Sequence, residues 1–183
     1  EETFRYGRPW DLDDLTELDY QHFFDSYQVH FPDRPLRPML FFETSRGCSW
    51  GEKKRCSFCA INRDGTPYQT MGEEKAKEYF KNLFSYADRC QFYWATDSTL
   101  PLSILKKVLP TLDIPQDAKL FYEVRADMSE EEIRLLRQCH VTLVQAGIEA
   151  LDTKTLQCMN KGVTAAQNLL FLKRCRENHI GVL

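Results

Sequence analysis

Apolar and polar positions follow two rhythms along this chain, and the switches between them mark out a repeat. "MLFFET", from Met39, is an apolar run of strand length. Between Gly72 and Ala87, the residues Ala76, Tyr79, Phe80, Leu83 and Phe84 recur at helical spacing and predict an amphipathic helix. "CQFYWAT", from Cys90, reads as a strand, and "LPLSILKKVLPTL" as a helix with Pro101 in its first turn. "AKLFYEV" is a third strand; the helix "SEEEIRLLRQC" follows, with Ser129 and Glu132 at capping-box spacing. "VTLVQAGI" is a fourth strand and "TAAQNLLFLKRCREN" a fourth helix, with Thr164 as its cap. "HIGVL" opens a fifth strand.

Strands that alternate with helices predict an α/β fold with a parallel sheet and right-handed crossovers. A sheet that stops as its fifth strand begins would leave an unpaired edge, so the expectation is a C-terminally incomplete piece of a longer (βα) protein. The first 38 residues read differently. "DLDDLTELDYQHFFDSYQ" is acidic and aromatic, with Leu12, Leu15, Leu18, Phe23 and Phe24 at loosely helical spacing. "HFPDRPLRP" then predicts an extended linker. Residues 1–38 are therefore expected to be a connector outside the core, and 39–183 the domain proper.

Composition narrows the function classes. The 183 residues suit one domain with a sizeable core, and 43% hydrophobic with 28% charged residues is ordinary for a soluble protein. A net charge of −3 gives no basic footprint for nucleic acid. No run approaches the roughly 18 apolar residues of a membrane helix, and "EETFRYGRPWDLDD" carries no signal-peptide pattern. Seven cysteines cannot all pair, which points to thiols in a reducing, cytoplasmic compartment. Cys90, Cys139, Cys158 and Cys175 stand alone among apolar or helical neighbours and are expected to be buried structural thiols.

The other three cysteines fall in "ETSRGCSWGEKKRCSFCAINRDG": Cys48, seven residues, Cys56, two residues, Cys59. This loop follows the first strand, so it lies on the face where strand-then-helix folds collect their functional groups. A structural zinc site requires four ligands; His30, ahead of the proline-rich linker, makes no recognised zinc spacing. A redox C-x-x-C leaves Cys48 unexplained. Three thiolates on a four-iron cluster leave one iron open for a ligand, and the spacing favours that arrangement over zinc.

Cys56-Ser57-Phe58-Cys59, with an aromatic before the last cysteine and the whole loop after the first strand, resembles the radical S-adenosylmethionine (SAM) superfamily. Its commonest spacing has three residues between the first two cysteines rather than seven. "ETSRGCSWGEKKRCSFC", "FYEVRAD", "QAGIEAL" and "MNKGVTAAQNLLFLKRCRE" together resemble the cobalamin-dependent radical SAM enzymes that mature ribosomally made peptides. The resemblance runs from about Pro38 to Leu183.

It implies a partial TIM-type barrel of six βα units, of which this chain carries four and the start of a fifth. It implies a [4Fe-4S] cluster on Cys48, Cys56 and Cys59, with SAM on the open iron cleaved to a 5′-deoxyadenosyl radical. A preceding cobalamin-binding domain, methyl transfer to carbon, a precursor-peptide substrate and a reductant such as flavodoxin or ferredoxin are implied too, with no nucleic-acid or membrane partner. Phe58 would lie near the adenine, or simply pack the loop. Arg125, beside Asp127, would meet the SAM carboxylate or form a surface ion pair. Glu149 would accept hydrogen bonds from SAM, with Ala150 where the family commonly has serine. Asp97 would replace the family's Gly-Gly-Glu, or cap the next helix. Lys161 and Gly162 either line the site or form a turn before the last helix. Three alternatives stay open: another radical SAM reaction such as methylthiolation, a zinc-stabilised binding module without catalysis, and a C-terminally incomplete barrel that binds a cluster without turning over.

Overall fold

The computed structural model describes residues 11–34, 38–61 and 67–183. Its main sheet has five parallel strands in chain order: β1 (Met39–Phe42), β4 (Phe92–Ala95), β5 (Lys119–Val124), β6 (Val141–Ala146) and β7 (Gly181–Val182). Two short strands, β2 (Ser45–Arg46) and β3 (Gln69–Thr70), pair antiparallel above the first strand's end. Neighbouring strands in chain order are joined through helical segments, which is the (βα) repeat expected.

Alternation along the strands separates two faces. Leu40 and Phe42, Tyr93 and Ala95, and Leu120, Tyr122 and Val124 are buried. They meet Ala76, Tyr79, Phe80 and Leu83 of α3 (Glu73–Phe84), Ile133 and Leu136 of α4 (Glu130–Gln138), and Phe171 and Cys175 of α6 (Ala165–Glu177) in one core. The other face carries the row Phe41, Trp94, Phe121 and Leu143, matched strand to strand. Trp94 and Phe121 stack with ring centroids 3.6 Å apart.

Local chemistry sets the helix ends. Ser129 Oγ accepts the Glu132 N–H at 3.2 Å while Glu132 Oε2 accepts the Ser129 N–H at 2.8 Å, closing the expected capping box. Thr164 caps α6, with Gln167 closing a second box. The expected helix after Pro101 is less regular. It begins with the Leu105 N–H on the Pro101 carbonyl, widens to a π-turn over Ile104–Val108 and tightens to 3₁₀ over Leu109–Thr111. Pro110 accounts for this, because its ring crowds the carbonyl four residues back and the backbone must open there.

Two departures from expectation matter. Residues 11–34 of the N-terminal segment are not outside the core, the rest of the expected connector lying largely outside the described residues: Leu12 is 2% exposed and Phe24, on α1 (Gln21–His30), is buried with it. Arg89 sits over the Phe24 ring at 4.5 Å, and Asp13 Oδ1 accepts the Gly72 N–H at 2.7 Å. Leu12 and Phe24, with Leu15, Leu18 and Tyr20 partly buried beside them, dock the segment, and Phe23 of the expected stripe stays exposed. Cys90, Cys139 and Cys175 are buried as expected, but Cys158 is exposed. It ends a short helix, α5 (Thr153–Cys158), in which only Leu156 faces the core.

Candidate cofactor site

Four of the five strands of the main sheet lead into candidate groups beyond its C-terminal edge, the end at which parallel α/β folds build their sites. Cys48 follows β1 and opens α2 (Ser49–Lys53). Asp97 follows β4, Arg125 and Asp127 follow β5, and Glu149 follows β6. A cavity of about 210 Å³ brings together Cys48, Cys56, Cys59, Phe58, Arg125 and Glu149. Lys161 lines it as well, joined by Glu123 and Gln145 from the strands below. A larger neighbour of about 490 Å³ shares Thr99, Val124 and Arg125 with it.

The cysteine loop is held from a distance. The Trp50 indole N–H donates to the Asn160 carbonyl at 3.0 Å, and Asn160 Nδ2 donates to the carbonyls of Lys54 and Arg55 at 2.6 and 2.7 Å. The Ser57 N–H reaches the Met159 carbonyl at 2.9 Å. The turn after α5 thus latches the loop. Gly162 closes the latch at φ +77°, with a Cβ there falling 2.3 Å from the Trp50 ring. Asn160 and Arg55 take positive φ beside it, at 51° and 54°, as backbone at functional sites often does.

Charged groups are paired inside the cavity. Lys161 Nζ lies 2.8 Å from Glu149 Oε1 and 5.7 Å from the centre of the Phe58 ring, its side chain only 12% exposed. Gly147 leaves room for that ammonium, since a Cβ there would stand 2.7 Å from it. Arg125 holds Asp127 with Nη2 at 2.8 Å, donates to the Lys161 carbonyl at 3.2 Å and stacks over Trp50 at 4.5 Å. The ion pair with Asp127 is therefore present, and Arg125 still borders both cavities. Burial pushes the Cys56 thiol up, while Lys161 and then Arg125 pull the other way and Cys59 and Cys48 add to the rise.

Asp97 stands apart. It is fully buried and does not border the cavity of the cysteines. Oδ1 accepts the N–H groups of Thr44 and Ser45, each at 2.7 Å, and Oδ2 accepts the Thr44 hydroxyl at 2.6 Å. Both oxygens serve the bend that leads into the cysteine loop, so neither helix capping nor contact with a cofactor describes where this structure puts it. Desolvation pushes its carboxyl up to about 6 despite these donors. Lys161, by contrast, sits at the centre of the site; its place in a turn that precedes a helix gave little sign of that.

Donor chemistry tests the two groups the resemblance implies. Among the described residues no three His, Cys, Asp or Glu side chains close around a single ion, whereas zinc would draw its sulfurs to about 2.3 Å from one centre. Three thiols that line one cavity fit a cluster whose separate irons each take one thiolate. Arg125, Glu149 and Lys161 supply partners for the carboxylate, hydroxyls and amine of an amino-acid nucleoside such as SAM. The residues present fit both.

No curated protein sequence matches. Among solved structures the chain is similar to the cobalamin-dependent S-adenosylmethionine radical enzyme OxsB: TM-score 0.64, 18% identity, over 80% of this chain and 23% of that one. It is similar to the radical S-adenosylmethionine methyltransferase TsrM from Kitasatospora setae: TM-score 0.63, 22% identity, over 80% and 30%. Methylornithine synthase PylB follows with TM-score 0.55, 17% identity, over 85% and 45%. The chain thus spans less than half the length of each. The family model described as "Radical SAM superfamily" matches residues 42–183, and the chain belongs to that superfamily.

Proposed function

We propose that Cys48, Cys56 and Cys59 hold a [4Fe-4S] cluster, and that Arg125, Glu149 and Lys161 seat SAM beside it in a cobalamin-dependent enzyme that methylates carbon in a ribosomally made peptide. The observation that carries the reading is the single cavity that gathers the three cysteines with these charged groups at the strand ends. When bound, the cluster and SAM supply a 5′-deoxyadenosyl radical. The chain's own residues do the rest. Asp97 fixes the bend before the loop, and the Asn160 latch fixes the loop from the other side. Arg125 offers its guanidinium to a carboxylate, exchanging Asp127 for it. Phe58 offers a half-exposed ring against which an adenine can stack.

Cobalamin and the methyl group enter from the neighbours. OxsB is cobalamin-dependent, and one TsrM structure holds cobalamin and a [4Fe-4S] cluster. A precursor peptide as substrate, a flavodoxin or ferredoxin as reductant and a cytoplasmic location complete the proposal. No described helix is long and apolar enough to cross a membrane.

The test is anaerobic reconstitution with iron and sulfide, followed by electron paramagnetic resonance of the reduced protein with and without SAM. The expected result is a four-iron signal that SAM perturbs and that a triple cysteine-to-alanine variant lacks. A colourless protein that holds zinc instead would overturn the reading.

A further inference from the structure

The loop that carries the cysteines also carries a run of cations, Lys53, Lys54 and Arg55, in a chain whose net charge is −3. Lys53 and Lys54 are exposed, Arg55 is half-buried, and among the described residues none of the three forms an ion pair. Lys54 Nζ sits over the Trp50 ring at 5.6 Å. Glu52, the acid beside them, is taken up by the Tyr68 N–H at 3.4 Å. The backbone under the run is pinned. The Trp50 carbonyl accepts the N–H groups of Lys54 and Arg55, each at 2.8 Å, and the carbonyls of both residues accept the Asn160 amide. The cations therefore stand on a fixed support, which lowers the ordering cost of docking a partner. None of the three borders the cysteine cavity or its larger neighbour.

Seven residues separate Cys48 from Cys56 where the commonest superfamily spacing has three, and the cations lie within that longer interval, with Arg55 adjoining Cys56. Exposed, unpaired cations steer and orient a partner of opposite charge. Three of them on an acidic chain make too small a footprint for nucleic acid, and a molecule confined to the cavities does not touch them. A partner that acts on the cluster from outside the cavity does. From this we infer that Lys53, Lys54 and Arg55 dock the acidic face of a small flavoprotein that reduces the cluster. One electron passes from the flavin's anionic hydroquinone to the oxidised cluster. It leaves a neutral semiquinone and a cluster richer by that electron, and no proton moves. The inference rests on the proposed cluster, and it deepens that reading by giving the electron donor a place to bind.

The experiment uses the full chain after anaerobic reconstitution, a purified flavodoxin, and photoreduced deazariboflavin as a small uncharged reductant. Calorimetry reads flavodoxin binding, and stopped-flow absorbance of the cluster reads electron transfer. Reduction by flavodoxin is expected to slow as ionic strength rises. Lys53→Glu combined with Lys54→Glu is expected to slow it by about tenfold or more at low salt, while deazariboflavin reduces both proteins equally. Lys53→Arg combined with Lys54→Arg is expected to keep the wild-type rate. Equal rates with flavodoxin in the wild-type and charge-reversed proteins overturn the inference. So does an equal slowing with both reductants, which reports an altered cluster and not a lost docking surface. Binding of an oligoglutamate peptide without binding of flavodoxin overturns the choice of partner. Iron content and electron paramagnetic resonance read the cluster separately. Failure to load a cluster would overturn the proposed function, and flavodoxin binding that charge reversal abolishes would leave the surface standing as a site for an acidic protein.

Discussion

Asp97 accepts the backbone N–H groups of both Thr44 and Ser45 on one oxygen and the Thr44 hydroxyl on the other, joining the ends of β1 and β4 in a fully buried knot. Removing the carboxylate orphans two buried N–H groups, so Asp97→Ala is expected to cost about 3–5 kcal/mol. A urea titration of purified protein would show it as a lower midpoint with an unchanged slope.

The same group gives a pH dependence. Its carboxyl is raised from 3.8 to about 6 in the fold, so the folded state holds the proton more tightly than the unfolded chain. This contribution is fully present below about pH 4 and is lost as pH rises toward about 6, then stays flat, because an acid raised on folding favours the fold when protonated. Asp97→Asn, which resembles the protonated form, lacks this dependence. The stability of wild type relative to Asp97→Asn should therefore decline across that window, by at most about 3 kcal/mol. A constant difference between the two proteins from pH 4 to pH 7 would contradict the assignment.

Lys161 lowers the proton affinity that burial gives Cys56. Only the thiolate ligates metal, so Lys161→Met should slow cluster loading near pH 7. The deficit should shrink only as the pH rises above the ordinary thiol range, because burial already holds the Cys56 thiol higher than a free one. Iron content at fixed reconstitution times, read against pH, separates this from a general loss of folding, which would lower loading at every pH.

Gly162→Ala tests the latch. A positive φ of 77° and a 2.3 Å approach to Trp50 make the methyl group costly. The expected loss is about 2 kcal/mol or more, or roughly 4–8 °C in melting temperature. Asn160→Ala, which removes both amide donors to Lys54 and Arg55, should likewise release the loop. Faster loss of iron to a chelator in both variants is the result that supports a shared cause.

Arg125→Lys keeps the charge but gives up the fork and the stack on Trp50. Weaker SAM binding, by about tenfold, with an unaltered cluster signal in the absence of SAM is expected if the guanidinium grips a carboxylate in two places. Unchanged SAM affinity would leave Arg125 with only its Asp127 pair.

Much of this architecture could be read from the chain. Runs such as "AKLFYEV" and the stripe Ala76, Tyr79, Phe80, Leu83 have one stable use each, and both are where periodicity puts them. The cysteine loop announced itself by residue type. What stayed hidden depends on contacts between distant segments. Nothing local to Asp97 says that its donors come from Thr44 and Ser45. The six-residue helix α5 carries too short a pattern to register, although Asp152 caps it through the Thr155 N–H at 2.8 Å. Lys161 and Glu149 meet only because two turns fold over the same strand ends.

The latch also sets an order of events. Trp50 and Asn160 are 110 positions apart in the chain, so the cysteine loop leaves the ribosome long before the turn that shapes it. Until that turn has emerged and the third and fourth strands have paired, the three thiols have no fixed arrangement to offer iron. Metal delivery to this protein should accordingly be a late step, following nearly complete synthesis of the segment described here rather than accompanying it.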